Sequence, residues 1–155
     1  MMQKFSLKEA ADTLSDVADS EEYFRFYYDR QENEFSNISQ EDVNDIDDDD
    51  YDETEFDPDL VEWINSSAVA DERYIMIQKD DLPDSYQVRV DFADEINNQT
   101  LQGILQRARP YRHFLDYVQK HDLANRWYAY EAAGYAQAAR DWARGYDLQY
   151  QEDMQ

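Results

Sequence analysis

The sequence contains no cysteine, and only three glycines and three prolines occur among its 155 residues. Without cysteine there is no disulfide framework, no thiolate nucleophile and no cysteine-ligated zinc or iron–sulfur site. Three glycines are too few for the usual glycine-rich loop that cradles phosphates. The scarcity of both glycine and proline favours long helices over a turn-rich all-β fold.

Long apolar stretches are missing as well. No run approaches the roughly 20 apolar residues that a membrane-spanning helix needs. The first residues, Met1 to Ser6, lead into alternating polar and apolar residues and lack the apolar stretch of a signal peptide. We therefore expect a cytoplasmic protein that does not enter a membrane.

Positive charge is scarce, because 14 Lys and Arg stand against 37 Asp and Glu and give a net charge of −23. Nucleic-acid affinity comes mainly from basic residues that neutralise phosphates, so direct nucleic-acid binding is not expected. Anionic membrane surfaces are disfavoured by the same repulsion. The expected partner is a basic surface of another protein, and nucleic-acid-binding proteins are one class that offers such a surface.

The negative charge is concentrated in the first half of the chain. Residues 1–72 hold 24 acidic and four basic residues, whereas residues 73–155 hold 13 acidic and ten basic residues. Within the first half, the acidic run, Glu41–Glu62, contains 13 acidic residues and no basic one. The candidate partner-binding residues lie in this run and are Asp47, Asp48, Asp49, Asp50, Asp52, Glu53, Glu55 and Asp57.

Two interpretations of the acidic run are open. In the first, residues 41–57 form a flexible, solvated segment, because like charges repel and such blocks usually stay disordered. In the second, the run is an ordered acidic face that large apolar side chains pin to the core. Those interleaved side chains are Val43, Ile46, Tyr51, Phe56, Leu60, Val61, Trp63 and Ile64.

The first half of the chain predicts a mixture of helix and strand. Ser6 with Glu9 has the form of a helix N-cap, and apolar residues then recur at helical spacing over residues 7–18. Aromatic residues at 23–28 and a return at 35–38 indicate a β-hairpin. Pro58 begins a predicted short helix over residues 58–66, and residues 73–77 predict another strand.

The second half predicts helices. Apolar stripes occupy residues 86–96 and 101–105, a third helix follows Pro110, and a fourth spans Leu123 to about Arg144. The expected fold is α+β: a small antiparallel sheet with an N-terminal helix, packed against a three- to four-helix C-terminal half, in a single domain over residues 1–155. The residues expected to pack together in the helical half are Phe92, Ile104, Leu105, Phe114, Leu115, Trp127 and Tyr130.

A family resemblance rests mainly on this helical half. The segments "RYIMI", "DFADEI" and "ARPYRHFLDYV" are followed by "NRWYAYEAAGYAQAARDW", and "YYDRQENEF" lies upstream as a strand–turn–strand. In this order, over about residues 20–145, the chain resembles the uncharacterised bacterial protein family UPF0158. The resemblance implies an α+β fold, and it implies no activity because none is established for the family.

Metal binding and catalysis have weak sequence support. Asp48, Asp50, Asp52 and Asp59 share the spacing of an EF-hand loop, but Glu53 stands where that loop needs glycine. The two histidines, eight residues apart, are too distant to ligate one ion together. No nucleophile motif is present. We therefore expect no enzyme activity, no cofactor and no bound metal.

Two further groups of side chains have both a structural and a functional interpretation. The aromatic residues of the last helix have core spacing, although tyrosine and tryptophan also anchor protein interfaces. The basic cluster Arg107, Arg109 and Arg112 is expected to neutralise the acidic run or to lie near a helix C-terminus. The aromatic set comprises Trp127, Tyr128, Tyr130, Tyr135, Trp142 and Tyr146.

Two functional hypotheses follow from these patterns. In the first, the acidic run imitates the charge density of nucleic acid and inhibits a DNA- or RNA-binding protein, such as a restriction enzyme, a CRISPR effector or a regulator. In the second, the protein is a housekeeping or stress-related adaptor whose helical half binds a protein partner, and the acidic run serves solubility. Both hypotheses describe a binding protein without catalytic activity.

Overall fold

A computed structural model describes residues 4–20 and 23–154 of the chain. Seven α-helices occur within these residues: α1 (Leu7–Asp19), α2 (Gln40–Asp47), α3 (Pro58–Ser66), α4 (Ser85–Glu95), α5 (Gln99–Ile104), α6 (Pro110–Lys120) and α7 (Ala124–Gly145). The strands within the same residues are β1 (Lys4–Ser6), β2 (Phe24–Asp29), β3 (Glu34–Ser39), β4 (Tyr74–Met76) and β5 (Gln149–Gln151). A 3₁₀ turn, Lys79–Asp81, follows β4. The α+β prediction is confirmed.

The predicted helix starts are where the local signals placed them. The Ser6 hydroxyl accepts a hydrogen bond from the backbone N–H of Glu9 at 3.1 Å and caps α1. Pro58 occupies the first turn of α3, where its missing N–H costs no helical hydrogen bond. In that same helix, Asp57 is the N-cap and accepts from the N–H of Asp59.

A three-stranded antiparallel sheet has the order β3-β2-β4, so the predicted hairpin and the predicted fourth strand share one sheet. Asn33 makes the hairpin turn in the left-handed region at φ 53°, a conformation that asparagine tolerates well. A second, parallel pair joins β1 to β5 and was not predicted. Its strands are three residues long, too short to show a sequence period.

Three apolar clusters form the core, and each contains one of the three tryptophans. Trp142 lies with α1, β1 and the C-terminal part of α7. Trp63 lies between the sheet and the pair of helices α2 and α3. Trp127 lies among α4, α5, α6 and α7. Within the described residues, no helix combines the length and the apolar character needed to cross a membrane.

The predicted core of the helical half is wrong at Leu115. Phe114 is fully buried, whereas Leu115 is 37% exposed, since neighbouring residues of a helix point about 100° apart. Val118, one turn after Phe114, takes the buried position instead. Tyr130 packs against the cluster but is only partly buried. The remaining predicted members, Phe92, Ile104, Leu105 and Trp127, are buried there.

Candidate functional site: the acidic run

The acidic run folds as two helices joined by a loop. Val43 and Ile46 of α2 are buried, and so are Leu60, Trp63 and Ile64 of α3. These five side chains pack on Tyr27 and Tyr74 of the sheet, with the Trp63 ring 5.5 Å from the Tyr27 ring and 5.3 Å from the Tyr74 ring. The apolar residues interleaved with the charges therefore attach the run to the core, as the ordered interpretation requires.

The loop between α2 and α3 has internal structure of its own. Tyr51 and Phe56 are half-buried, with ring centroids 6.0 Å apart, and both pack against the cluster under the run. The Asp52 carboxylate accepts hydrogen bonds from the backbone N–H and the hydroxyl of Thr54, which lowers the pKa of Asp52. These contacts hold the loop over the helix pair.

Arg73 connects the acidic run to the sheet. Its guanidinium contacts the carboxylates of Asp29 at 2.9 Å, Asp57 at 3.1 Å and Asp59 at 3.0 Å. Burial opposes ionisation of Asp29, but hydrogen bonds from Arg73 and from the backbone N–H groups of Glu32 and Gln31 outweigh it and lower the pKa of Asp29. In return, Asp29 raises the pKa of Arg73. Sequence reasoning missed this centre, because its carboxylates come from distant parts of the chain.

Four consecutive aspartates, Asp47 to Asp50, follow the buried part of α2. All four are exposed, and within the described part of the chain none forms an ion pair. They surround the C-terminus of α2, where Asp48 is the C-cap and no basic residue lies in the last turn. The helix dipole disfavours negative charge at this end. These charges therefore oppose folding of the helix that carries them.

The eight predicted partner-binding residues lie in the segment from the end of α2 to the start of α3. All eight are exposed: Asp47, Asp48, Asp49, Asp50, Asp52, Glu53, Glu55 and Asp57. Asp57 also has a structural role, because it caps α3 and pairs with Arg73. The EF-hand spacing does not converge on a common centre, since Asp48 caps α2 whereas Asp59 contacts Arg73. Among the described residues, no group of three His, Asp or Glu could hold a metal ion.

The basic cluster lies elsewhere than predicted. Arg109 is the N-cap of α6 and Arg112 lies in its first turn, so both are at the positive end of a helix rather than at its C-terminus. Neither residue, nor Arg107, pairs with the acidic run in the described structure. Arg73, which follows the run in sequence and was not singled out, instead pairs with Asp57 and Asp59 of the run.

The aromatic side chains of α7 and of its C-cap, Tyr146, divide between core and surface. Trp127 and Trp142 are buried, whereas Tyr130, Tyr135 and Tyr146 are half-buried. Tyr128 is 47% exposed. The core interpretation therefore applies to the tryptophans and in part to the three half-buried tyrosines, which pack against the core clusters, whereas Tyr128 belongs to the surface.

A groove of about 650 Å³ is the second feature that sequence reasoning missed. It lies between α7 and the segment that runs from the 3₁₀ turn into α4. Its walls include Asp81, Asp91 and Asp141, together with Tyr130 and Trp142. Burial and the neighbouring Asp80 raise the pKa of Asp81. The volume falls within the range of small-molecule sites.

Comparisons with known proteins return no match: no family model, no curated protein and no solved structure is similar to this chain. The resemblance to UPF0158 therefore stays a prediction.

Proposed function

We propose that the protein binds the basic surface of a nucleic-acid-binding protein through the acidic run and thereby inhibits it. The surface that makes the contact carries the eight predicted residues, and Asp47 to Asp50 form its centre. The partner is a restriction enzyme, a CRISPR effector or a DNA- or RNA-binding regulator. The protein catalyses no reaction in this proposal, and it acts in the cytoplasm, where such partners work.

The observation that supports the proposal is the contrast between anchoring and charge placement. The apolar residues of α2 and α3 are buried, so the charged segment between these helices has a fixed position on the surface. The charges themselves add no stability at the C-terminus of α2. A charge array that is fixed in place but opposes folding is expected where the charge serves binding.

The density of charge in the acidic run also supports the proposal. Duplex DNA carries one negative charge per about 1.7 Å of axis. Asp47 to Asp50 place four charges on adjacent residues, and Asp52, Glu53 and Glu55 continue the array beyond them. A groove lined with Lys and Arg for nucleic acid offers the complementary surface.

The test uses the protein as immobilised bait in a lysate of its native host. Wild type is compared with a variant in which Asp47, Asp48, Asp49 and Asp50 are changed to Asn. Charge-driven binding weakens with ionic strength, because the screening length falls from about 8 Å at physiological salt to about 3 Å at 1 M. We expect captured proteins to be lost from the variant, released by high salt and displaced by duplex DNA or by RNA.

A matched control removes the same number of charges from other elements. The four exposed acidic residues to be changed to Gln or Asn are Glu9, Asp12, Glu95 and Asp116. This control should retain the partner. Capture that is equal for both variants, insensitive to salt and not displaced by nucleic acid would contradict the proposal.

One observation favours the adaptor function as the second candidate. Tyr111 and Leu115 lie one turn apart on α6 and are 41% and 37% exposed. Large apolar side chains on one helix face are typical anchors for a protein partner. If the adaptor function is correct, Tyr111→Ser with Leu115→Ser removes the captured protein, and the Asp47 to Asp50 variant retains it.

A further inference from the structure

The groove between α4 and α7 has an unusual combination of walls. Four aspartates line it, and its lining includes no Lys, Arg or His among the described residues. Three aromatic residues, two of α7 and one at its C-cap, line the same cavity. These residues are Tyr130, Trp142 and Tyr146. Carboxylates and aromatic rings are the two kinds of group that attract an organic cation.

Two of the four aspartates, Asp91 of α4 and Asp141 of α7, line different parts of the groove. Asp91 of α4 lies at the Tyr130 end of the groove, because the ring of the adjacent Phe92 is 5.4 Å from the Tyr130 ring and both Asp91 and Tyr130 line the cavity. Asp141 follows Tyr130 by eleven residues of α7, a separation of about 16 Å at 1.5 Å per residue. Between Tyr130 and Asp141 the lining residues of α7 are Ala133, Gly134, Gln137 and Ala138, and the opposite segment adds the apolar Leu82 and Val88.

The carboxylates of Asp91 and Asp141 can each accept further hydrogen bonds from a ligand. Asp91 accepts one hydrogen bond from the Gln87 amide at 2.8 Å. Asp141 accepts one from Gln137 at 3.1 Å and has an exposed contact with Arg144 at 3.4 Å. Exposed ion pairs of this kind contribute little, and a carboxylate offers about four acceptor positions.

We propose that this groove binds a linear polyamine, a chain of methylene groups with protonated amines at both ends. One terminal ammonium contacts Asp91 and Tyr130, and the other contacts Asp141 beside Trp142. The methylene chain lies along the small and apolar residues between them. This site is separate from the acidic run and does not depend on the function proposed for it.

Alternative cations fit the groove less well. A divalent metal ion needs oxygen ligands converging within about 2.6 Å. Asp91 instead lies on α4 near Tyr130, whereas Asp141 follows Tyr130 by three turns of α7. A lysine side chain from a peptide has one ammonium and meets one end only. The separation of the carboxylates therefore favours a ligand with two charged ends.

The first test is isothermal titration calorimetry of the intact protein at physiological salt with spermidine, propylamine, Nα-acetyl-lysine amide and MgCl₂. We expect spermidine to bind at least about tenfold more tightly than either monoamine, a difference of about 1.4 kcal/mol. Equal affinity for spermidine and the lysine amide would overturn the two-ended site. Absence of spermidine binding would overturn the proposal altogether.

Two kinds of variant locate the binding. Gly134→Leu fills the groove without changing charge, because a Cβ at Gly134 meets no atom within 4 Å and leucine favours helix more than glycine does. Asp91→Asn with Asp141→Asn removes both end charges. We expect each variant to weaken spermidine binding about tenfold or more. Ala133→Leu is the second filling variant, in case Gly134→Leu lowers the melting temperature.

The control for bulk charge is Asp47→Asn with Asp48→Asn, which removes two charges far along the sequence from the groove. It should bind spermidine as wild type does. Equal weakening in this control and in the Asp91 and Asp141 variant, with no effect of Gly134→Leu, would show nonspecific counterion association and would overturn the proposal.

Tryptophan fluorescence is an independent test of where spermidine binds. Trp142 lines the groove, whereas Trp63 and Trp127 belong to other clusters. Spermidine should therefore change the emission of wild type, and the change should disappear in Trp142→Phe. A change that persists in Trp142→Phe would place the ligand elsewhere and overturn the proposal.

Discussion

The helix pair α2–α3 and the helical unit α4–α7 have similar aromatic cores but differ in the charge of their surfaces. Each buries a tryptophan against other aromatic rings, Trp63 in the first and Trp127 in the second. The first region carries its charge outside that core, and among the residues that the structure describes Asp47 to Asp50 form no ion pair. The second mixes acidic and basic residues on its surface. The comparison indicates that apolar anchoring and surface charge are set independently, so each can be altered without the other.

The largest effect is expected in the core of the helical unit. Phe114 is fully buried, with its ring centroid 4.8 Å from that of Trp127, so Phe114→Ala should lower the free energy of unfolding by about 3 to 5 kcal/mol. The neighbouring Leu115→Ala is the matched control and should change stability by less than about 0.5 kcal/mol. Urea titrations of both variants give the comparison. A similar loss from the two would contradict the assignment of buried and exposed faces on α6.

The pair Phe114 and Leu115 also shows what sequence could and could not predict. Local signals such as the Ser6 cap and Pro58 act within one helical turn, so the starts of α1 and α3 could be predicted from the sequence. Which of two adjacent apolar residues faces inward depends on where other helices pack. The period of an 11-residue helix left that open.

Contacts between distant segments could not be predicted from the sequence, because each involves residues far apart in the chain. The β1–β5 pair joins residues near the two ends of the described chain, and no local pattern marks it. Arg73 draws together Asp29 and Asp57. The groove likewise combines Asp91 with Asp141. The eight candidate residues of the acidic run were visible because they are contiguous, and their role in partner binding stays a prediction.

The next largest effect tests the connection between the acidic run and the sheet. Arg73→Leu leaves Asp29, which is 8% exposed, without its cation, and we expect a loss of about 3 kcal/mol. The control is Arg140→Leu, since Arg140 makes a more exposed bidentate contact with Glu152, and its loss should stay below about 1 kcal/mol. Adding Asp29→Asn to Arg73→Leu should restore part of the stability. Failure of that double variant to recover any would argue against an uncompensated charge as the cause.

A smaller effect of opposite sign is expected at the C-terminus of α2. Changing Asp47, Asp48, Asp49 and Asp50 to Asn removes charges that the helix dipole disfavours, so the free energy of unfolding should rise by about 1 kcal/mol. Asn suits the left-handed backbone of Asp49 at φ 55°. At the other end of the helix, Glu41→Gln with Asp42→Asn should lower stability, because the dipole favours negative charge there. Destabilisation by both variants, measured by urea titration, would remove the argument that the four aspartates are retained for binding.

The smallest effect concerns a single carboxyl group in α7, within the second of the two regions compared above. Burial raises the pKa of Glu131 in α7 above its usual 4.5, and the charge of Asp19 adds to the rise while Arg89 opposes it. The folded state therefore binds this proton more readily than the unfolded state, so the contribution to stability grows as pH falls through the folded pKa toward 4.5 and is lost as pH rises. Glu131→Gln should reduce the gain in unfolding free energy between pH 7.5 and pH 5.5, as measured by urea titration at both values. The control is Glu9→Gln, which changes an exposed carboxyl group and should keep the wild-type gain. Any change of unfolding free energy with pH that all three proteins share reports the relief of net negative charge. If Glu131→Gln and wild type gained equally, the pH dependence would belong entirely to that net charge and not to the half-buried carboxyl group of Glu131.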